Sequence, residues 1–329
     1  MTIQKQTQYT RTLRPKRLIH WALVSILMLT VTSCEDFFVS EVTNLNTPGS
    51  EPQLVVYSFI SPADTMVWVY VDRSRPYVNT GRPYAPVGAN AEVFMARKGE
   101  EFVKLHYRSD MQRYVISAKD FPIIAGQYYQ LKVETTLGEK TSAECWVPEF
   151  EIARIELDPP FVATDSWGSN MLRLNWRITT ANNGKTNYYR TGAIMQRWEV
   201  VNWGNQPDTF FLGQYPVEID RGQEFFSDPS SRQYAFRAST YYSSYESDWK
   251  HNFREESESS YKQFDSLSVF VIQSDIHYFN FHQSARDYYY YDEDFPLAES
   301  VHIYTNIKNG LGVFGGYSMR SYVVPAQRK

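Results

Sequence analysis

The sequence predicts a mostly β protein: an N-terminal immunoglobulin- or fibronectin-like β-sandwich, followed by a larger mostly-β domain that carries one helix. Three observations support this class. Strand-like segments separated by turns recur along the chain, about seven of them in the roughly 95 residues after the N-terminal region. Two segments, Gln127–Val133 and Met171–Ile178, alternate apolar and polar residues as half-buried strands do. Aromatic residues make up 16% of the 329 residues, and the 25 tyrosines suit strands and interaction surfaces.

The first 33 residues have the organisation of a bacterial lipoprotein signal peptide. Five basic residues and no acidic residue precede Leu18–Thr32, an apolar run of about 15 residues that is too short to span a bilayer. The run ends at Val31-Thr32-Ser33-Cys34, which resembles a lipobox. We therefore expect cleavage before Cys34 and lipid attachment at its thiol. A plain signal peptide and an N-terminal anchor helix are the alternatives.

Residues 34–52 are predicted to form a lipidated tether, because they lack periodicity and end in a run rich in Pro, Gly and Ser. The leader holds 5 of the 33 basic residues and none of the 37 acidic ones, so the mature chain has 28 against 37 and a net charge of −9. An acidic body without a basic block argues against nucleic acid as a partner. It also leaves membrane attachment to the acyl chains.

Seven strands are predicted in the first domain, residues 53–148. They are Leu54–Ile60, Met66–Val71, Ala91–Arg97, Phe102–Tyr107, Tyr114–Ser117, Gln127–Glu134 and Lys140–Val147. Pro62 stops the first strand, and the turn 98–100 joins the third and fourth as a hairpin. Tyr129 and Leu131 are expected on one buried face of the sixth strand, and Pro148 closes the domain.

The second domain, residues 149–329, is predicted to be mostly β as well. Its strands are Ile152–Leu157, Met171–Ile178, Tyr188–Val201, Thr209–Leu212, Tyr234–Ala238, Ser266–Gln273, Ser300–Thr305 and Tyr317–Val324. The polar and aromatic segment 239–260 is interpreted as a surface excursion. One helix is predicted from Asp275 to about Tyr289, capped by Ser274 or Asp275. Its inward residues are expected to be Ile276, Tyr278, Phe279 and His282.

No catalytic or metal-binding motif is recognisable, so we expect no enzyme activity, metal or cofactor. Gly310–Gly315 matches G-x-G-x-x-G, but a strand rather than a helix is predicted after it, which argues against a dinucleotide site. The glycines instead serve a tight turn or close backbone packing. Cys145 has no nearby His or basic residue and is expected to be a buried, unreactive thiol. His277, His282 and His302 are expected to be ordinary, partly buried histidines.

The segment Asp287–Asp294 joins four tyrosines to four carboxylates. Because aromatic faces stack on sugars and carboxylates bind hydroxyl groups or Ca²⁺, one interpretation is a calcium loop or a sugar-binding platform. The other is a helix end that runs into a solvated acidic loop, since the aspartates lack the alternation of an EF-hand. Tyrosine gives contact area at low entropic cost. The candidate partner or ligand contacts are therefore Tyr241, Tyr242, Tyr245, Tyr288, Tyr289, Tyr290 and Tyr291.

The C-terminal segment Phe295–Tyr317 closely resembles a signature of an uncharacterised family of Bacteroidota outer-membrane lipoproteins, which runs into N-G-L-G-x-F-G-G. The signature positions, interpreted as a turn, are Asn306, Asn309, Gly310, Gly312, Phe314, Gly315 and Gly316. Weaker matches at Cys34-Glu35, Leu54–Val56 and Asn187–Arg190 extend the resemblance over the mature chain. Residues 298–300 depart from it, because the family more often has a second proline there.

The resemblance implies an outer-membrane lipoprotein that is often encoded beside a TonB-dependent receptor. Glu35-Asp36 are similar to the acidic signal for surface export in that phylum. We therefore expect a non-enzymatic, lipid-anchored, surface-facing protein that serves as accessory or ligand-capture subunit of a TonB-dependent transporter-like barrel. Its ligand, a glycan or another small molecule, stays open. The alternatives are a structural scaffold in an envelope assembly complex and, behind it, a glycan-active enzyme.

Overall fold

The computed structural model describes residues 52–75, 86–203, 206–219, 223–241, 254–255, 261–292 and 302–324. In these residues the chain forms seventeen strands and one helix, which confirms the predicted mostly β class. No helix in this part of the chain combines the length and apolarity that a bilayer-spanning segment needs. The leader, Cys34 and the tether up to residue 51 lie outside the described residues.

Seven strands occupy the first part of the chain, with ends at most two residues from those predicted. They are β1 (Leu54–Ile60), β2 (Met66–Arg73), β3 (Ala91–Arg97), β4 (Val103–Arg108), β5 (Arg113–Ser117), β6 (Gln127–Thr135) and β7 (Lys140–Val147). Strands β1, β2, β5 and β4 pair antiparallel in that order. Strand β4 also pairs with β3, which continues through β6 to β7. Hairpins between consecutive strands account for most of these neighbours.

The inward residues of these strands form the first hydrophobic core. Val56 of β1 and Val69 of β2 are fully buried there, as is Cys145 of β7. Tyr129 and Leu131 share the buried face of β6, as the two-residue period predicts. Burial of each large aliphatic side chain contributes about 1.5–3 kcal/mol, so this core is a principal source of stability.

The second part of the chain adds ten strands within the described residues. They are β8 (Ile152–Leu157), β9 (Phe161–Thr164), β10 (Asn170–Thr180), β11 (Asn187–Trp203), β12 (Gln206–Ile219), β13 (Phe225–Asp228), β14 (Gln233–Tyr241), β15 (Arg254–Glu255), β16 (Tyr261–Ser274) and β17 (Leu311–Val323). Strand β10 pairs with β8, β9 and β14, and β11 pairs with β12, β13 and β16. The short strands β9, β13 and β15 are missing from the sequence prediction, because none of them alternates apolar and polar residues over several positions. Strand β15 falls within the segment 239–260 that the prediction interprets as a surface excursion.

A second hydrophobic core lies between these strands. Leu174 and Trp176 face it from β10, as the alternation predicts, together with residues of β14 and β16. The indole Nε1–H of Trp176 donates to Thr191 Oγ1 at 3.0 Å in a buried position. The hydrogen bond lets an amphipathic indole lie fully inside an apolar core without leaving its donor unpaired.

Strand β17 links the two sets of strands. It runs parallel to β1 and antiparallel to β16. Its Phe314 belongs to the first core, and Val324, just beyond its end, belongs to the second. Residues 51–329 form one compact unit. The domain division at residue 148 stays a prediction.

The glycine-rich segment before β17 differs from the sequence prediction. The prediction has a turn over the signature residues and a strand from Tyr317, whereas the structure has a turn only at Asn309 (φ 58°) and Gly310 and begins the strand at Leu311. The strand predicted at 300–305 is not formed in residues 302–305. Glycine is disfavoured in strands, so the sequence around these glycines predicts a turn. In the structure they lie in β17, where close tertiary contacts require residues without a side chain.

Helix α1 (Ile276–Asp292) begins directly after Asp275. Asp275 Oδ1 accepts the Tyr278 N–H at 2.8 Å, so Asp275 is the predicted N-cap. Tyr278 and Phe279 are buried as predicted, but Ile276 is 42% exposed and its predicted inward position is wrong. At 100° per residue, Ile276 lies about 110° from the centre of the stripe that contains Tyr278, Phe279 and His282.

Candidate functional site

Two adjoining cavities lie where β6 and β7 meet the start of β11 and the end of β16. Their volumes are about 490 Å³ and 320 Å³, and they share Tyr128, Trp146 and Asn187 as lining residues. We call this pair of cavities the junction groove. Both volumes fall within the range of ligand pockets in proteins.

Tyr128 and Trp146 form the aromatic wall of the junction groove. They are directly opposite in the antiparallel register of β6 and β7, so both side chains stand on one face of the sheet. Tyr128 is 53% exposed, and the Lys98 ammonium lies 5.5 Å from its ring centroid. Tyr188, a third aromatic residue, lines the smaller cavity and is held against Phe279 with ring centroids 5.2 Å apart.

A chain of side-chain amides lines the larger cavity. Gln273 Nε2 donates to Asn187 Oδ1 at 3.2 Å, and Asn187 Nδ2 donates to Asn183 Oδ1 at 3.0 Å. Asn183 Nδ2 in turn donates to Glu151 Oε2 at 2.5 Å. The buried amides of Gln273 and Asn187 are thereby paired, which their burial requires. The chain of amides ends at the exposed Asn183, whose oxygen also accepts the Lys185 N–H at 3.0 Å, so its amide is engaged within the protein.

Asp275 lines the smaller cavity at the N-terminus of α1. Its Oδ2 accepts the Trp146 N–H at 3.2 Å, and its own N–H donates to the Gly316 carbonyl at 2.9 Å. Burial raises the pKa of Asp275 to about 7, and the backbone hydrogen bonds from Tyr278 and Trp146 oppose that rise. The buried carboxyl of Asp275 therefore links β7 to α1, and the backbone N–H of the same residue links them to β17.

Cys145 also lines the smaller cavity, but it is not arranged for nucleophilic chemistry. Its thiol is free and buried, as the sequence predicts. Burial raises the pKa of Cys145 well above its usual value, and the charge of Asp275 raises it further. The thiolate is the reactive form of cysteine, and it is disfavoured here.

The histidines occupy separate environments. His277 Nδ1 lies 2.7 Å from Tyr304 Oη, and burial lowers the pKa of this histidine. His282 stacks on Phe59 at 4.8 Å, and burial, with a smaller effect of a neighbouring guanidinium, lowers its pKa to about 3. His302 is exposed, not partly buried as predicted, because its segment is not paired as a strand. Across the described residues, no three His, Cys, Asp or Glu side chains are grouped closely enough to hold a metal ion.

The tyrosines proposed as contacts fall at two places. Tyr288 and Tyr289 are 45% and 65% exposed near the end of α1, and neither lines the junction groove. The helix continues through Tyr290 and Tyr291 to Asp292, three residues beyond the end predicted near Tyr289. Tyr241 ends β14. The other two candidates, Tyr242 and Tyr245, lie outside the described residues.

The signature segment supports one wall of the junction groove. Asn306 pairs with Phe314 as a strand would, since its Nδ2 donates to the Phe314 carbonyl at 2.8 Å and its Oδ1 accepts the Phe314 N–H at 2.9 Å. A Cβ at Gly316 would overlap the Trp146 carbonyl, and one at Gly315 would lie 3.0 Å from the Tyr278 nitrogen. Glycine lets β17 approach this closely, and the approach fixes Trp146 and the start of α1.

The fold and the groove define a β-sandwich protein with a ligand-sized groove between two packed cores. Residues 39–322 match the model of a family described as a domain of unknown function, DUF4249, and the chain belongs to that family. No curated protein matches the chain. Among solved structures it is similar to trypsin-activated alpha-2-macroglobulin from Escherichia coli, with 11% identity and a TM-score of 0.23. That match covers 69% of this chain and 15% of the macroglobulin chain, and a likeness of that size indicates neither a shared fold nor a shared function.

Proposed function

We propose that the mature protein is a lipid-anchored, surface-facing, non-enzymatic protein of the outer membrane that captures a ligand for a TonB-dependent transporter-like barrel. The lipobox at Val31–Cys34 and the acidic Glu35-Asp36 support the anchor and its surface location. Several acyl chains anchor a protein stably where one chain is marginal.

The junction groove is the observation that carries the ligand-capture role. It combines an aromatic wall with paired amides and carboxylates, which is the composition of a binding pocket. Its cysteine is held as a thiol by burial, and the buried Asp275 is engaged by two backbone N–H groups. The thiol and the Asp275 carboxyl therefore have structural roles, which supports a groove that binds a ligand rather than one that catalyses a reaction.

The exposed end of α1 is the proposed contact with the barrel. Tyr288 and Tyr289 present adjacent exposed rings on a rigid helix, and exposed tyrosines are enriched at protein interfaces. They lie apart from the junction groove, so ligand and barrel could be engaged by different residues.

The test combines surface exposure with partner capture in the native organism. Protease added to intact cells is expected to cleave the protein, and mild-detergent purification from outer membranes is expected to recover a TonB-dependent barrel with it. Tyr288→Ser combined with Tyr289→Ser should reduce the recovered barrel at least about tenfold, as loss of two interface aromatics does. Trp167→Ser, at a residue that is 89% exposed and outside the groove and α1, should leave recovery unchanged. Protection from protease, or purification without a barrel, contradicts the proposal and favours the periplasmic scaffold.

A further inference from the structure

We infer that the junction groove binds a neutral saccharide, with Tyr128 and Trp146 as the stacking surface for its sugar rings. The inference deepens the proposed ligand-capture role by naming the class of ligand. It rests on that proposal only in taking this groove as the ligand site.

The aromatic wall has the geometry that sugar stacking requires. Tyr128 and Trp146 are cross-strand neighbours on one sheet face, and both border each of the two cavities. Flat rings give apolar area for the C–H faces of pyranoses at low entropic cost, because aromatic side chains have few torsions to fix. Asp275 and Gly316 contact the backbone N–H and carbonyl of Trp146, so the strand position that carries the indole is set before a ligand arrives.

The polar lining suits hydroxyl groups. A hydroxyl both donates and accepts, and the larger cavity offers the exposed carboxylate of Glu149 as an acceptor and the exposed ammonium of Lys185 as a donor. The larger cavity therefore has a positively charged donor and a negatively charged acceptor. A purely cationic or purely anionic ligand would leave half of these groups without a use.

Charge at the aromatic wall argues against a cationic ligand. The cation position at the Tyr128 ring is already taken by Lys98, which also forms an ion pair with Glu144 at 3.4 Å. Glu144 accepts a further hydrogen bond from Gln130 at 2.6 Å. The Glu144 carboxylate beside this wall is therefore engaged within the protein, and a neutral ligand needs no additional charge.

The experiment titrates the detergent-purified full-length mature protein with five neutral hexasaccharides and with hexalysine. The neutral probes are cellohexaose, maltohexaose, xylohexaose, mannohexaose and laminarihexaose. At least one of them is expected to bind with a dissociation constant below about 1 mM, in the weak range of small-ligand binding. Tyr128→Ala should weaken that binding about tenfold, which is the size of one aromatic contact, and Tyr128→Phe should restore it because the flat ring returns.

Two further variants separate a saccharide from the alternatives. Glu149→Gln keeps the shape and an acceptor but removes a charge, so binding of the hexasaccharide should change less than about threefold. Trp167→Ala removes an aromatic ring that is more accessible than Tyr128 but lies outside the groove, and should change nothing. Failure of all five neutral probes, binding of hexalysine alone, or equal effects of the Tyr128→Ala and Trp167→Ala variants overturns the inference. Such a result leaves the recovery of a barrel unaffected, so it is distinguishable from failure of the proposed function.

Discussion

Replacement of Asp275 by Asn should remove a pH dependence of stability that this buried carboxyl creates. Burial raises its folded pKa to about 7 from the ordinary value of 3.8, so between those pH values the folded chain holds a proton that the unfolded chain has lost. The stability from this group is therefore fully present below about pH 4 and is lost as the pH rises through about 7. Integrated from about pH 7.5 down to about pH 5.5, the gain is about 2 kcal/mol.

Two partly buried histidines act in the opposite direction. Burial lowers the folded pKa values of His277 and His282, so below about pH 6.5 the unfolded chain gains protons that the folded chain does not. The pH profile of the wild-type protein is therefore a sum of opposing contributions. The informative quantity is the difference in unfolding free energy between the wild-type protein and Asp275→Asn.

The assay is urea unfolding of detergent-purified protein, followed by tryptophan fluorescence at about pH 5.5, 6.5 and 7.5. The free energy of unfolding of the wild-type protein, minus that of Asp275→Asn, should be about 2 kcal/mol larger at the lowest pH than at the highest. Asp110→Asn is the matched control, because Asp110 is a fully exposed carboxylate in an ion pair with Arg108. A difference that stays constant within about 0.5 kcal/mol would refute the assignment of this titration to Asp275.

Three further predictions concern backbone packing, the anchor and the thiol. Gly312→Ala should lower the unfolding free energy by about 3 kcal/mol in urea titrations, because its Cβ would overlap the Val56 carbonyl at a positive φ. Gly99→Ala, also at positive φ but with open space around it, should cost only about 1 kcal/mol, and equal losses would contradict this account. Cys34→Ala should abolish palmitate labelling and leave an uncleaved or soluble precursor, and unchanged membrane attachment would exclude the lipid anchor. A maleimide should label Cys145 only after denaturation, whereas fast labelling of the native protein would show that the thiol is accessible.

Strand positions follow from the sequence where one face of a strand is buried and the other is not. Strands β1, β2, β6, β7 and β10 have this alternation, and the prediction places them within two residues of their observed ends. Strand β17 lacks it, since Gly312 and Gly316 read locally as turn residues. Glycine is needed at both positions because a Cβ there would overlap the carbonyls of Val56 and Trp146. These two residues belong to strands more than 150 residues earlier in the chain.

The candidate site depends on the same long-range contacts. The exposed face of β6 could be predicted at Tyr128, because its neighbour Tyr129 is on the buried face. No local pattern brings Trp146 to Asp275 or Asn187 to Gln273, which are 129 and 86 residues apart. Sequence reasoning therefore finds the tyrosine-rich end of α1, whose residues are adjacent in the chain, and misses the junction groove.

Site-specific photo-crosslinking in living cells tests most directly that this protein serves a barrel at the outer membrane. A benzoyl-phenylalanine is placed at position 289, near the exposed end of α1, and in a separate strain at position 167, which is even more open to solvent. The account predicts that ultraviolet light joins the position 289 variant to a TonB-dependent outer-membrane barrel and that the position 167 variant gives no such adduct. No adduct at position 289, equal adducts at both positions, or an adduct with a periplasmic protein would contradict it.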